Sequence, residues 1–276
     1  MPFSQITRSL EMNSKSIGIF DSGIGGLTVY KAIKSSMPGE KVIYLGDTAR
    51  LPYGSKSPET IKKFSEQNSH FLISKHVKII VIACNSSSSY AESFLQEKLD
   101  IPVIGVISPG SEAAVTSGNK QIGVIGTSAT ISSGAYEKAI LERISDAKVI
   151  SRDCPLFVPL VEEGWIDHEV TKLVAQEYLL PLKDKGIKTL VLGCTHYPVL
   201  KKVIGNVMGE SITLIDSAEV IAKKVKNILK DSGWLNEHKN VIPEDEFYVT
   251  DYPERFKRVG EIFLNRKIDK VRIAYF

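Results

Sequence analysis

Cysteine is scarce in this 276-residue chain, which has only Cys84, Cys154 and Cys194. An odd number at wide spacing is not a disulfide framework. None of the three belongs to a CxxC pair, so a structural zinc site is not expected. Free thiols imply a reducing compartment and become available for chemistry. Long apolar runs are missing too. The run from Ile79 to Cys84 has the length of a buried strand, far short of the roughly 18 residues a membrane span needs. The opening stretch, MPFSQITRSLEMNSK, has no apolar core of the kind a signal peptide carries. It reads as a frayed tail, and the chain as cytoplasmic. Charge of one sign is also lacking. The net charge is +3, and the lysines are interleaved with acids, as Lys62-Lys63 are with Glu59 and Glu66. That pattern marks solvated helix faces rather than a nucleic-acid surface. There is no Gly-Lys-Ser/Thr phosphate loop and no GxGxxG spacing.

What is present is alternation. Short apolar runs at 16–20, 41–46, 78–84, 102–107, 121–126, 147–153, 189–194 and 211–216 read as strands. Their continuous Val/Ile/Leu content predicts burial on both faces, hence parallel sheets. The longer segments between them carry helical spacing, as in 57–76, where Pro58 stands near the start and Ile61, Phe64, Asn68 and Phe71-Leu72 follow. Strand and helix in alternation is an α/β signature. The chain also repeats itself. IGIFDSGIGG (17–26) resembles IGVIGTSATISSG (122–134), and VIACNSS (81–87) resembles VLGCTHYP (191–198), at nearly equal separations. We read a duplication: two similar α/β domains with mainly parallel sheets flanked by helices, and an active site in the cleft between them. A flexible tail covers 1–16, a first domain covers 17–107 and 213–276, and a second covers 108–212. The C-terminal runs 246–251 and 271–276 are expected to add edge strands or to pack back on the first domain.

Ligands of open parallel sheets bind at the carboxyl ends of strands, where Cys84 and Cys194 both stand. Each alone could be an ordinary buried cysteine. Two of them at equivalent strand ends point to chemistry, with one thiol on each wall of a cleft. Helix N-terminal N–H groups there are expected to lower a thiol pKa. Asp21 and Ser22 precede a Gly-rich turn that could equally be a helix cap or hold a small anion such as a carboxylate. His196 and Asp21 could each relay a proton for a nearby thiol. Glu162 follows an apolar stretch and could be a plain surface carboxylate. Cys154 has no mirror partner and receives no role.

Five segments, GIFDSGIGGLTV, YLGDTARLPYGSKS, IACNSSSS, FVPLVEEG and LGCTHYP, resemble the glutamate racemases of the aspartate/glutamate racemase superfamily, in that order and spacing. The resemblance runs from about Ile17 onward. It implies racemisation of glutamate with no cofactor and no metal, D-glutamate supplied for peptidoglycan, and a homodimer in a bacterial cytoplasm. It places the acid/base thiols on Cys84 and Cys194, with assistance from Asp21, Glu162 and His196. Substrate contacts fall on Asp21, Ser22, Tyr53, Gly54, Asn85, Ser86, Thr195 and His196. The family's usual Thr-Ala after Cys-Asn is Ser86-Ser87 here, which keeps the hydroxyl and loses a methyl that would fix its rotamer. Rival readings are an aspartate racemase, a cysteine hydrolase and an exported two-lobed binding protein. Against the hydrolase, His196 stands very close in chain to Cys194.

Because Cys154 lies outside the duplicated pattern, Cys154→Ser should keep turnover within about tenfold of wild type, roughly 1.4 kcal/mol of barrier. A steady-state assay of the folded variant checks this; a larger loss would give Cys154 a role.

Overall fold

The computed structural model describes residues 12–237 and 242–276. The expected tail therefore lies mostly outside the described residues. Its last part is docked rather than free, since Lys78 Nζ donates to the Asn13 carbonyl at 3.3 Å and the Lys78 N–H donates to the Ser16 carbonyl.

The chain alternates as its pattern predicts: β1 (Ile17–Asp21), α1 (Leu27–Ser36), β2 (Val42–Gly46), α2 (Pro58–Ser74), β3 (Ile79–Ile82), α3 (Asn85–Lys98), β4 (Val103–Gly105) and α4 (Ile107–Thr116). The second series is β5 (Gln121–Gly126), α5 (Ser128–Ser132), α6 (Ala135–Leu141), β6 (Lys148–Asp153), α7 (Phe157–Glu162), α8 (Glu169–Asp184), β7 (Thr189–Gly193), α9 (Lys201–Met208) and β8 (Thr213–Asp216). The chain closes with α10 (Ser217–Asp231), β9 (Glu246–Val249), α11 (Pro253–Leu264) and β10 (Val271–Ile273). Local signals fix the starts. The Ser57 side chain accepts from the Thr60 N–H, and Pro58 occupies the first turn, so α2 begins there. Thr127 caps α5 in the same way.

Every pairing is parallel. One sheet runs β10-β9-β2-β1-β3-β4 and the other β6-β5-β7-β8. Setting β2-β1-β3-β4 beside β6-β5-β7-β8 exposes the duplication. In both halves the first strand is central, with the second on one flank and the third on the other. The C-terminal strands β9 and β10 extend the first sheet beyond β2, as expected. One boundary differs. The expected division at 213 assigned Thr213–Asp216 to the first domain, but this strand pairs with β7. The central strands are wholly buried, as Ile79, Ile80, Val81 and Ile82 show, because helices cover both sheet faces.

At the amino end of β3, a lysine is fully buried. Lys78 Nζ lies 2.7 Å from Glu40 Oε2, both side chains at 0% exposure, and donates to the Trp234 carbonyl at 2.8 Å. Burial pulls the Lys78 pKa down, and Glu40 partly restores it. Glu40 Oε1 accepts from the Asn236 N–H at 2.7 Å. Four segments thus meet on one ion pair. Lys78→Met should strand a buried carboxylate and cost about 3–5 kcal/mol, whereas Lys78→Met with Glu40→Leu should recover much of it. Urea unfolding midpoints decide; a double variant no better than the single would contradict this account.

Candidate active site

In the first sheet the chain leaves β1 to one side for β2 and returns on the other side for β3. That reversal opens a crevice at the carboxyl ends of β1 and β3. Asp21 ends β1, and Cys84 lies just past β3 at the N-cap of α3. The second sheet repeats the arrangement, with Thr127 after β5 and Cys194 after β7. Both thiols are buried, at 5% and 6% exposure.

On the first wall, Asp21 is buried and its Oδ2 accepts from the Gly23 N–H at 2.9 Å. Burial raises its pKa; His196, the Gly23 and Gly26 N–H groups and the Thr195 hydroxyl oppose that rise. The expectation that helix N–H groups lower the thiol pKa fails at Cys84. The Ser87 N–H and the Ser22 and Ser87 hydroxyls do favour thiolate, but burial and the Asp21 charge outweigh them and push the thiol up to about 11. At neutral pH Cys84 is therefore held as the protonated thiol.

The second wall has the opposite polarity. His196 is buried; its Nδ1 lies 3.9 Å from Cys194 Sγ and its Nε2 lies 3.0 Å from Glu162 Oε1. Burial disfavours the imidazolium, yet Cys194 and Glu162 together overcome it and raise His196 to about 10. Glu162 Oε2 takes a further bond from Arg255 Nη2 at 3.0 Å. Burial pushes the Glu162 pKa up, but His196 and Arg255 prevail and lower it. A cation therefore stands beside Cys194, where a carboxylate stands beside Cys84. Chain proximity, used against a cysteine hydrolase, does not hold up: Cys194, His196 and Glu162 form a line. A hydrolase needs one nucleophilic thiol, and a second buried thiol at the equivalent strand end, Cys84, has no part in that chemistry.

The walls are stitched together. Ser86 Oγ lies 2.9 Å from Thr127 Oγ1. Tyr136 OH donates to Asn85 Oδ1 at 2.8 Å, and Thr195 Oγ1 donates to Asp21 Oδ1 at 3.4 Å. Asn85 Nδ2 is buried with no hydrogen-bond partner among the described residues, an omission that costs about 1–3 kcal/mol unless a ligand supplies an acceptor. A Cβ on Gly54 would meet Thr127 Cβ at 2.7 Å, so Gly54 also lies at the interface.

The sequence-derived residues Cys84, Cys194, Asp21, Ser22, Asn85, Ser86, Thr195, His196, Glu162 and Gly54 thus gather where the two halves meet. Tyr53 is different. Its side chain is fully buried, and its hydroxyl is held by Asp47 and Asn68 within the first domain. Any contact at the cleft falls to its backbone. Arg255, Tyr136 and Thr127 were not anticipated as site residues. Only Thr127 had a signal, as the mirror of Asp21 in the repeat. Among the described residues no cluster of His, Cys, Asp and Glu could hold a metal.

Residues 17–225 match the family described as Asp/Glu/Hydantoin racemase. The glutamate racemase of Geobacter metallireducens is 50% identical over 258 residues, 93% of this chain and 95% of its own. Among solved structures, the glutamate racemase of Francisella tularensis in complex with D-glutamate is similar at TM-score 0.89 and 44% identity, over 95% of this chain and 98% of that one. An aspartate racemase of Picrophilus torridus, 21% identical with TM-score 0.54 over 80% of this chain and 95% of its own, shares the fold.

A glycine holds the walls at their working separation. A Cβ on Gly25 would fall 2.3 Å from Thr195 Oγ1 and 2.4 Å from His196 Nδ1. Gly25→Ala should therefore lower kcat at least tenfold, about 1.4 kcal/mol of barrier, with little loss of melting temperature. Wild-type turnover in this variant would show that the close approach has no function.

Proposed function

This chain belongs to the Asp/Glu/Hydantoin racemase family, and from that premise we propose that it interconverts L- and D-glutamate without a cofactor, Cys84 and Cys194 serving opposite faces of the α-carbon. The observation that carries this reading is the pair of buried thiols at equivalent strand ends, in surroundings of opposite charge. Racemisation removes a proton from one face and delivers another to the opposite face. Two fixed groups on facing walls do this without moving.

The polarity sets the resting state. The His196 ring stands 3.9 Å from Cys194 Sγ, while burial and Asp21 keep Cys84 protonated. This form is ready to take the α-proton of L-glutamate with Cys194 and to return one from Cys84. The product leaves with the charges exchanged, ready for D-glutamate. The substrate α-ammonium, placed against Asp21, would relieve the charge that holds Cys84 up. The developing carbanion needs preorganised donors. The unpartnered Asn85 Nδ2, the hydroxyls of Ser86 and Thr195, and backbone N–H groups of Ser22, Tyr53 and Gly54 would hold carboxylate oxygens. Burial of the cleft strengthens each of these contacts.

A pyridoxal-type mechanism would need a lysine at the cleft. The buried lysine, Lys78, stands at the other end of β3 and is committed to Glu40. Glutamate rather than aspartate is supported by relatives at 44–50% identity named for glutamate, against 21% for the aspartate racemase. Supply of D-glutamate for peptidoglycan, a cytoplasmic site and a homodimer belong to the same reading. No helix among the described residues is long and apolar enough to cross a membrane. Exposed Leu156, Trp165, Leu173 and Leu180 on the second domain offer a dimer an apolar surface.

The test is racemisation of glutamate with no pyridoxal phosphate, followed by the two thiol variants. Cys→Ser replaces a thiol with a far weaker acid, so each variant should lose racemisation almost entirely. A glutamate analogue with a β-leaving group needs only the first deprotonation. Cys84→Ser should eliminate from the L-analogue alone, and Cys194→Ser from the D-analogue alone. If both variants prefer the same enantiomer, the opposed arrangement is wrong; if the handedness is merely reversed, the pairing stands and the assignment of faces fails.

A further inference from the structure

We propose that Arg255, carried by α11 of the first domain, is a positioning residue for the Cys194 half-site, fixing the Glu162 carboxylate that holds His196 against the thiol of the second domain. The inference rests on the two-thiol reading above and extends it to a residue outside 17–225, the part of the chain that matches the family.

Glu162 has two carboxylate oxygens, and each has one partner. Oε1 meets His196 Nε2 and Oε2 meets Arg255 Nη2, both at 3.0 Å. The Glu162 side chain is 9% exposed and that of Arg255 33%, so the guanidinium reaches in from the edge of the cleft. Glu162 is the last residue of the short helix α7, next to the turn at Gly164. A glutamate at a helix end has several rotamers available, and a buried carboxylate with only one partner gains by turning toward water. A second, charge-assisted bond removes that alternative. The same helix α11 also sets the ring of Phe263 edge-on to His196, centroids 5.4 Å apart. One helix of the first domain thus braces both members of the second domain's pair.

The Cys84 half-site has a cross-domain contact of its own, Thr195 on Asp21, and Arg255 takes no part in it. Asp21, Ser22 and Ser87, the groups that act on it, all belong to its own domain. Arg255 therefore touches one half-site only and lies two groups removed from the thiol. Its effect should be confined to one hand of the substrate. Racemisation itself cannot reveal this, because enantiomers have equal energies and kcat/KM must be the same in both directions. Elimination from β-leaving-group analogues is one-sided and can.

The experiment compares wild type, Arg255→Gln, Arg255→Lys and Cys194→Ser on the L- and D-analogues, with thermal melting as the check on folding. Arg255→Gln should lower elimination from the L-analogue at least tenfold and from the D-analogue less than threefold. Arg255→Lys, which keeps the charge, should restore most of the loss. In a Glu162→Gln background, Arg255→Gln should add less than twofold, because its only route to the thiol is already broken. An equal fall on both enantiomers, no fall on either, or a Lys variant no better than Gln overturns the positioning role. Elimination from the L-analogue that survives Cys194→Ser instead overturns the two-thiol reading, and this inference with it.

Discussion

Two groups can face each other across one carbon only if two pieces of backbone present them from opposite sides. In this molecule the constraint is met by folding the same unit twice. Each sheet has its reversal of strand order between the first and third strands of its unit, and each reversal opens a crevice at carboxyl ends. Just past the third strand stands Cys84 in one half and Cys194 in the other. Once the halves are apposed, what must be controlled is their separation. That is where the close contacts lie: Gly25 against Thr195 and His196, Gly54 against Thr127, and Ser86 on Thr127. Side chains larger than hydrogen at either glycine would hold the walls apart.

The repeat is not a copy where chemistry is concerned. The first half ends its central strand in an acid, Asp21, and the second follows its central strand with a neutral hydroxyl, Thr127. The second half supplies its own charge from elsewhere, through His196 and Glu162. A shared burial therefore acts on two thiols with opposite neighbours. At Cys84 burial and then the Asp21 carboxylate push the thiol pKa up, whereas Cys194 has the His196 ring 3.9 Å from its Sγ. In the proposed mechanism, a symmetric backbone with asymmetric charge is what would make one thiol a donor and the other an acceptor.

Much of this was legible in the residues. Continuous apolar runs marked the strands to within a residue or two, since strands buried on both faces leave no ambiguity of face. The repeated strand-end pattern located both thiols. What failed depends on tertiary context. Strand Thr213–Asp216 could be assigned to a sheet only through its partner, β7, and the sequence holds no record of that pairing. The hydroxyl of Tyr53 turns to Asp47 and Asn68, which are distant enough in chain that the motif's polar character was misleading as to side-chain direction. The acidity of Cys84 was misjudged because a helix N-terminus is visible in sequence, whereas full burial beside Asp21 is not. Arg255 sits in an ordinary amphipathic helix, with no local feature to separate it from Lys257 or Arg258.

The asymmetry between the half-sites has a kinetic limit that follows from the substrate. L- and D-glutamate have the same free energy in water, so the transition states, measured from free enzyme and free substrate, give equal kcat/KM for both directions. In the proposed two-thiol mechanism, the free-enzyme form in which Cys194 accepts the proton is ready for the L-enantiomer, and the form in which Cys84 accepts it is ready for the D-enantiomer. The form favoured by charge is also the more stable one, and so the weaker base. Those two consequences cancel in kcat/KM and survive separately in kcat and in KM. The His196–Glu162–Arg255 line therefore does not bias the position of equilibrium. Under the proposed mechanism it would act on kcat and on KM separately, and so on the concentration at which each enantiomer saturates the enzyme.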